Sequence, residues 1–193
     1  MVDSHQMKEE STDPRIRRTR ELLYSAFAGL LAEKSFEEIS VQDIAERSTL
    51  NRATFYDHFP DKFALVESMI GENFLVMLTA RMDGSPGTCR ESAKRLILAL
   101  CDFLTDLASR CQKHQRQFEP LMESKIKSVV REFLLEGLRK KMPDAKSSDL
   151  ELRATMASWA VCGAALGWSR QRTPAAETFV ESVLPLIAPT LEL

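Results

Sequence analysis

Hydrophobic positions recur along this chain at the three- and four-residue spacing of α-helices, and no segment alternates with the two-residue period of a β-strand. The pattern predicts a first helix over residues 13–34, two short helices between residues 40 and 60, and a fourth helix that begins near residue 61. Further helices are predicted over residues 88–110, 118–141, 148–172 and 175–191, with 118–141 forming either two helices or one bent helix. We therefore expect an all-α protein of about nine helices.

Polar segments indicate how the helices are grouped. Residues 1–12 are polar and are expected to be a disordered tail. The clearest linker is Asp83-Gly84-Ser85-Pro86-Gly87, because its residue types favour turns. The pattern predicts an N-terminal three-helix domain over residues 13–60 and a larger helical body over residues 61–193.

Residues 40–60 have the pattern of two short helices joined by a tight turn. Ser40, with Asp43 three residues later, is a good N-cap for the first helix, and Asn51 is one for the second. Pro60 ends the second helix because proline cannot extend it. In a helix-turn-helix of this kind, the first residues of the second helix reach base edges in DNA.

The second short helix is predicted to have two different faces. Phe55 and Phe59 are four residues apart, so both should face the core. The remaining surface offers hydrogen-bonding side chains of several lengths, which are Arg52, Thr54, Tyr56 and His58.

The segment IAERSTLNRATFYDHFPDKFALV resembles the signature of the TetR family of bacterial transcriptional regulators. The resemblance covers residues 12–75, and the remainder is similar in length, helical pattern and order of helices. It implies an N-terminal helix-turn-helix DNA-binding domain followed by a helical body that binds a ligand and dimerises. The segment departs from the family at Thr49, where glycine is usual, and a non-glycine residue at positive φ costs about 1 kcal/mol.

The resemblance also implies which side chains meet DNA. Arg52 and Thr54 would reach base edges or nearby phosphates, with Asn51 at the start of the helix. Contacts to the phosphate backbone are expected from Ser40, Tyr56, His58 and Lys62.

The net charge of the chain does not suggest nucleic-acid binding, but one local cluster of arginines does. The net charge of −2 argues against a broadly basic nucleic-acid-binding surface. Four arginines nevertheless crowd the start of the first helix, at positions 15, 17, 18 and 20, and we expect Arg17 and Arg18 to lie along phosphates. The alternative is a solvated helix end with ion pairs such as Arg18 with Glu21, and the adjacent helix-turn-helix favours DNA.

Small residues recur in the helix predicted over residues 148–172. Glycine inside a helix costs about 1 kcal/mol relative to alanine, so Gly163 and Gly167 indicate close helix packing, within the chain or between two chains. The resemblance implies a homodimer in which the last two helices pair with those of the partner, on a palindromic operator with reading helices about 34 Å apart. The interface would comprise Ala160, Gly163, Ala164, Gly167, Phe179, Val183, Leu186 and Ile187.

The resemblance further implies a ligand cavity among the middle helices. Its aromatic and methionine-rich lining would suit a small apolar or amphipathic molecule that releases a repressor from DNA. The candidate lining residues are Phe103, Leu107, His114, Phe118, Met122, Met156, Trp159 and Trp168. Alternatively these side chains fill the core, and the regulator answers to a protein partner, has no ligand, or acts as an activator.

Other function classes have little support in the sequence. There is no phosphate-binding glycine loop and no nucleophile elbow, so we expect no enzyme and no cofactor. Cys111 and His114 have a C-x-x-H spacing without a second ligand pair, so no metal is expected. The cysteines at 89, 101, 111 and 162 are expected to be buried thiols, with a redox sensor as the alternative. No apolar run approaches the roughly 18 residues of a membrane span, so the protein is expected in the cytoplasm.

Overall fold

The computed structural model describes residues 13–82, 89–110 and 115–192, with side chains for 13–82, 90–109 and 120–192. Over these residues the chain forms eight α-helices and no β-strand, in agreement with the all-α prediction. The predicted tail 1–12 and linker 83–87 lie outside the described residues, as do Cys111 and His114. The helices are α1 Pro14–Glu33, α2 Val41–Arg47, α3 Arg52–His58, α4 Lys62–Met82, α5 Cys89–Arg110, α6 Gln115–Lys141, α7 Ser147–Gln171 and α8 Ala176–Leu191.

The helix α6 corrects the predicted count of nine. The segment expected to form two helices or a bent one is a single helix, which continues through Pro120. Pro120 is the sixth residue of this helix, so its missing N–H removes one intrahelical hydrogen bond, to the carbonyl of residue 116. The buried side chains Met122, Ile126, Val130 and Leu138 keep to multiples of four residues, so one continuous face packs against the protein.

The described chain divides into two compact units, the first ending at Met69 and the second beginning at Ile70. This boundary falls inside α4, whereas the sequence pattern placed it before α4, between residues 60 and 61. The start of α4 belongs to the first unit because Leu65 and Val66 are buried in it.

The first unit is built on the long helix α1 and the two short helices. Helices of seven residues are unstable alone, so burial must hold α2 and α3 in place. The core side chains are Leu23, Ala26, Phe27, Leu30, Phe36, Ile39, Ile44, Ala45, Phe55, Phe59, Leu65 and Val66.

The second unit is a helical bundle centred on α7. Helix α7 packs most extensively on α6, and it also contacts α8 and α5. At its end the Trp168 ring stacks on Phe179 with centroids 5.6 Å apart, and the indole N–H donates to the carbonyl of Pro174 at 2.7 Å. The face of α7 turned to the bundle carries Leu150, Ala154, Ala157, Ser158, Val161, Cys162, Ala165 and Trp168.

Helix α4 differs from the expectation that no segment approaches a membrane span. By length and composition it could cross a membrane, and it is the one such helix among the described residues. However, 33% of its most apolar window is already buried inside the protein, where Ile70, Phe74 and Leu78 lie in the core. The core helix of a soluble protein has the same length and composition, so this feature alone is not evidence for a membrane span.

Candidate nucleic-acid interface

The N-terminus of α2 is fixed by a capping box. The backbone N–H of Ser40 donates to Asp43 Oδ2 at 2.7 Å, and the N–H of Asp43 donates to Ser40 Oγ at 3.1 Å. The Lys34 ammonium lies 2.8 Å from Asp43 Oδ2, and together with Ser40 it holds the pKa of that carboxyl far below its usual range. The Ser40 hydroxyl also donates to Asp43, so a phosphate would meet backbone N–H groups here more readily than this side chain.

The turn between α2 and α3 uses a left-handed residue. Thr49 has φ of 59°, so the conformation that the family fills with glycine is adopted here by threonine. The N–H of Leu50 donates to the carbonyl of Ala45 at 3.0 Å and that of Thr49 to Glu46 at 3.1 Å. These are the two hydrogen bonds of a Schellman motif, which satisfies carbonyls at the end of α2.

Helix α3 begins where the sequence predicts and ends at His58, one residue before the predicted last residue Phe59. Asn51 Oδ1 accepts from the N–H groups of Ala53 and Thr54, which confirms Asn51 as the N-cap. Phe55 and Phe59 are buried, with ring centroids 6.0 Å apart, so the apolar face points into the first unit as predicted.

The opposite face of α3 is open to solvent. Asn51, Arg52 and Tyr56 are exposed, and Thr54 and His58 are half-buried. Arg52 Nη2 donates to the Tyr56 hydroxyl at 3.3 Å, and the guanidinium carbon lies 5.8 Å from the Tyr56 ring centroid. Because the ring and the hydroxyl both hold it, the guanidinium is partly oriented before any ligand arrives.

His58 is in an unusual electrostatic position at the end of α3. Partial burial lowers the pKa of its imidazole, the nearby Arg20 lowers it further, and Asp57 opposes both effects. The ring is therefore neutral near pH 7, and it can donate one hydrogen bond but adds no positive charge for a phosphate.

The arginines at the start of α1 have separate environments. Arg17 and Arg18 are both exposed, and Arg17 Nε lies 3.7 Å from Glu21 Oε1. Arg20 instead turns inward, where it bonds to the hydroxyls of Tyr24 and Ser68 and lies 5.0 Å from the Phe59 ring centroid. Arg17 and Arg18 thus remain available for phosphates, whereas Arg20 supports the fold.

Lys62 is placed differently from its expected role. Its ammonium, which the resemblance assigns to the DNA backbone, bonds to three carbonyl oxygens of the loop between α1 and α2. The sequence shows a cation at the start of a helix but gives no sign of where these carbonyls lie.

The expected interface residues on α7 and α8 divide into two groups. Ala160, Gly163, Gly167 and Leu186 are exposed. A Cβ added at Gly163 or Gly167 would meet nothing within 4 Å in the described chain, so close packing inside the chain does not explain either glycine. Buried instead in the chain's own core are Val183 and Ile187, while Ala164 and Phe179 are half-buried.

The expected pocket residues also divide. Phe103 and Met122 are buried and Leu107 is half-buried, whereas Met156 and Trp159 are 57% and 63% exposed. Met156 and Trp159 therefore do not line an internal cavity, because they lie on the outer face of α7. Trp168 is buried against Phe179, and the side chain of Phe118 and all of His114 lie outside the described residues.

The outer face of α7 includes one residue that the sequence interpretation missed. Leu152 is 61% exposed and lies four residues before Met156. Its four-residue spacing to Met156 is the signal that could have identified it. We define the outer face of α7 as Leu152, Met156, Trp159, Ala160, Gly163 and Gly167.

Two cysteines have environments that oppose redox chemistry. Cys101 and Cys162 are buried free thiols, as predicted, and burial raises the pKa of each to about 12. The reactive thiolate is therefore scarce near pH 7 at these two positions. The side chain of Cys89 and all of Cys111 lie outside the described residues, and the remaining described residues form no cluster that could hold a metal.

Helices α1, α2 and α3, with a capped and outward-facing α3, have the arrangement of a helix-turn-helix DNA-binding domain. Residues 23–69 match the family of bacterial regulatory proteins called the tetR family. Residues 23–69 therefore form a helix-turn-helix domain of the tetR family.

Individual relatives agree with this assignment. The uncharacterized HTH-type transcriptional regulator YxbF of Bacillus subtilis (strain 168) is 36% identical over 103 residues, which are 51% of this chain and 27% of that protein. The chain thus spans about a quarter of the length of that relative.

Solved structures extend the likeness to the whole fold. The TetR family repressor AlkX from Dietzia sp. strain DQ12-45-1b aligns with a TM-score of 0.58 at 16% identity, over 90% of this chain and 95% of that one. The dihydroxyacetone kinase operon activator DhaS aligns with a TM-score of 0.55 at 15% identity, over 90% and 96%. At such identities the comparison concerns the fold alone.

Proposed function

We propose that this regulator is a cytoplasmic homodimeric repressor that binds a palindromic operator through α3 and is released by a small apolar or amphipathic molecule. The observation that carries the proposal is the outward face of α3, where Arg52 and Tyr56 stand exposed at a capped helix start. This is the arrangement that a helix needs to enter the major groove with its first residues on base edges.

Within this face the side chains take different roles. Arg52 has a planar guanidinium that can bind guanine O6 and N7 together, so it is the main candidate for base reading, with Thr54 beside it. Tyr56, neutral His58 and the exposed arginines Arg17 and Arg18 are proposed to hold phosphates. Asn51 and Ser40 act mainly by capping, which aims backbone N–H groups at DNA.

Dimerisation is supported by the outer face of α7. Trp159 is 63% exposed on this face, and the Lys127 ammonium lies 4.2 Å from its ring centroid. Gly163 and Gly167 leave open space beside the helix, and Leu186 on α8 is 79% exposed. A second copy related by a two-fold axis would cover these apolar side chains, and the glycines would let the two helices approach closely.

The proposed effector site is smaller than the sequence implies. Phe103 and Met122 remain as buried candidates and Leu107 as a half-buried one, and the Phe103 ring packs on Phe74 with centroids 5.3 Å apart. Such a lining favours an apolar molecule. The alternative is a regulator of the same fold that answers to a protein partner or to nothing, and the well-packed Phe74–Phe103 pair favours it.

The sign of regulation is proposed as repression, with activation as the alternative. Solved proteins of this fold include one named as a repressor and one named as an operon activator. A reporter gene placed behind the recovered operator would decide: repression predicts lower expression when the protein is present, and activation predicts higher expression.

The test is selection of bound fragments from sheared genomic DNA by the purified protein at low and high salt, with Arg52→Ala as the control variant. We expect a two-fold symmetric site that is recovered less efficiently at high salt. The Arg52→Ala variant should recover a less defined site. If the folded, dimeric wild-type protein enriches no sequence, the proposed function is wrong.

A further inference from the structure

The Lys62 ammonium is fully occupied within the first unit. Its Nζ donates to the carbonyl oxygens of Ile39 at 2.7 Å, Phe36 at 2.8 Å and Glu37 at 3.3 Å. It also lies 4.5 Å from the centroid of the Phe36 ring. A lysine ammonium has three N–H donors, so none is left for a phosphate oxygen.

The loop that accepts these hydrogen bonds has buried carbonyl groups that require donors. Phe36 and Ile39 are 5% and 1% exposed, so their backbone lies where little water can reach. Within the loop, the N–H groups of Glu38 and Ile39 bond to the carbonyls of Ser35 and Phe36 at 3.2 Å. A carbonyl oxygen has two lone pairs, so the Phe36 carbonyl can also accept a hydrogen bond from Lys62. If Lys62 swung outward to DNA, the carbonyls of Glu37 and Ile39 would lose this donor, and that of Phe36 would keep only the N–H of Ile39.

The same loop ends at the start of the reading motif. Ile39 directly precedes Ser40, the N-cap of α2, and the other end of the loop is tied to α2 by the Lys34–Asp43 ion pair at 2.8 Å. Lys62 is itself the first residue of α4. Its three hydrogen bonds therefore join the start of α4 to the start of α2.

We propose that Lys62 is a positioning residue that holds α2, and through the turn α3, on the start of α4 without touching DNA. The proposal rests on the proposed DNA-binding function for its consequence, although the clamp itself belongs to the free protein. It assigns to Lys62 a role different from the phosphate contact that the resemblance implies.

The test compares the salt dependence of DNA binding in Lys62→Met, Lys62→Arg and wild type, with Arg18→Met as a matched control for a lost phosphate contact. The probe is the duplex recovered by the fragment selection, and each variant is used at a temperature where circular dichroism shows native helix content. Each phosphate contact contributes about −0.9 to the slope of log K against log salt. At this temperature a variant whose only defect is lower thermal stability is still folded, so it should bind the duplex as tightly as wild type.

We expect Lys62→Met to weaken binding about tenfold with an unchanged slope, whereas Arg18→Met makes the slope less negative by about 0.9. Lys62→Arg should resemble Lys62→Met, because a planar guanidinium cannot offer three donors to three converging carbonyls. The proposal is overturned if Lys62→Met makes the slope less negative by about 0.9 and Lys62→Arg restores wild-type binding.

Hydrogen exchange on the free protein separates this proposal from the proposed function. Loss of the clamp should speed amide exchange in residues 36–43 of Lys62→Met relative to wild type. If wild-type protein binds no duplex but this change is seen, the proposed function fails and the clamp stands. Unchanged exchange in residues 36–43 would overturn the clamp.

Discussion

Thr49 has a backbone conformation that a β-branched residue rarely adopts. Its φ of 59° completes the Schellman motif after α2, and its side chain is exposed, so little packing compensates for the strain. We predict that Thr49→Gly raises the free energy of unfolding by about 1 kcal/mol, as measured by urea denaturation. Thr49→Ala, which keeps a Cβ but removes the branch, should gain less. A Thr49→Gly protein that is less stable than wild type would contradict this account.

His58 is a site where pH should act on stability. Burial and Arg20 lower its pKa in the folded protein, so the unfolded chain binds the proton more tightly. Stability must then be lost as the pH falls through the unfolded-state value of about 6.5. We predict that His58→Gln loses less stability than wild type between about pH 7.5 and about pH 5.5, compared by urea midpoints. Equal losses in the two proteins would show that the neutral ring is not favoured by folding.

At the residue scale, local chemistry was predictable and distant partners were not. Asn51 caps its own helix, so the neighbouring sequence suffices to identify it. Lys62 and Arg20 bond to groups far along the chain, in one case 26 residues away. A sequence shows that such a side chain is cationic but not which carbonyl or hydroxyl the fold brings to it.

Helix α7 presents two apolar faces, and the outer one tests the proposed dimer. Gly163 there and Gly137 on α6 are both exposed helical glycines beside open space, so they form a matched pair. If two copies of α7 cross at Gly163, the methyl group of Gly163→Ala would collide with the partner. We predict a roughly tenfold weaker dimer, measured by sedimentation equilibrium.

Gly137→Ala is the control for this substitution. It should leave the dimer unchanged and raise stability by about 0.5–1 kcal/mol, because alanine favours a helix more than glycine does. The proposed interface would be wrong if Gly163→Ala behaved in the same way, with more stability and an undisturbed dimer.

At the element scale, spacing was a better guide than residue type. Met156 and Trp159 suit a ligand pocket by type, yet they share the face of α7 that carries Gly163, three and four residues apart around the helix. One face cannot both line an internal cavity and meet a partner. For α8, in contrast, spacing is not sufficient, because apolar residues lie on both sides of the helix. Nothing in the sequence shows that Val183 faces inward and Leu186 outward.

For the whole molecule, charge and fold together limit how it can bind DNA. A net charge of −2 provides little general attraction, so under the proposed function we expect binding to depend on the few cations around α3 and the start of α1. One DNA-binding domain contacts too few base pairs to distinguish its operator well from other sequences, and a two-fold dimer doubles the contacts on a symmetric site. Class and order of helices follow from periodicity alone, whereas the pairing of two chains depends on surfaces that periodicity does not rank.

The most direct test is the affinity of wild type, Arg52→Ala and Tyr56→Phe for the selected operator and all its single base-pair variants. We predict that each base-pair change at matching positions in the two half-sites costs wild type about 1–3 kcal/mol of binding free energy. Arg52→Ala should lose discrimination at one or two positions in each half-site, while Tyr56→Phe weakens binding to every duplex by the same factor. If Arg52→Ala keeps the wild-type profile and Tyr56→Phe alters it, α3 does not read DNA as described.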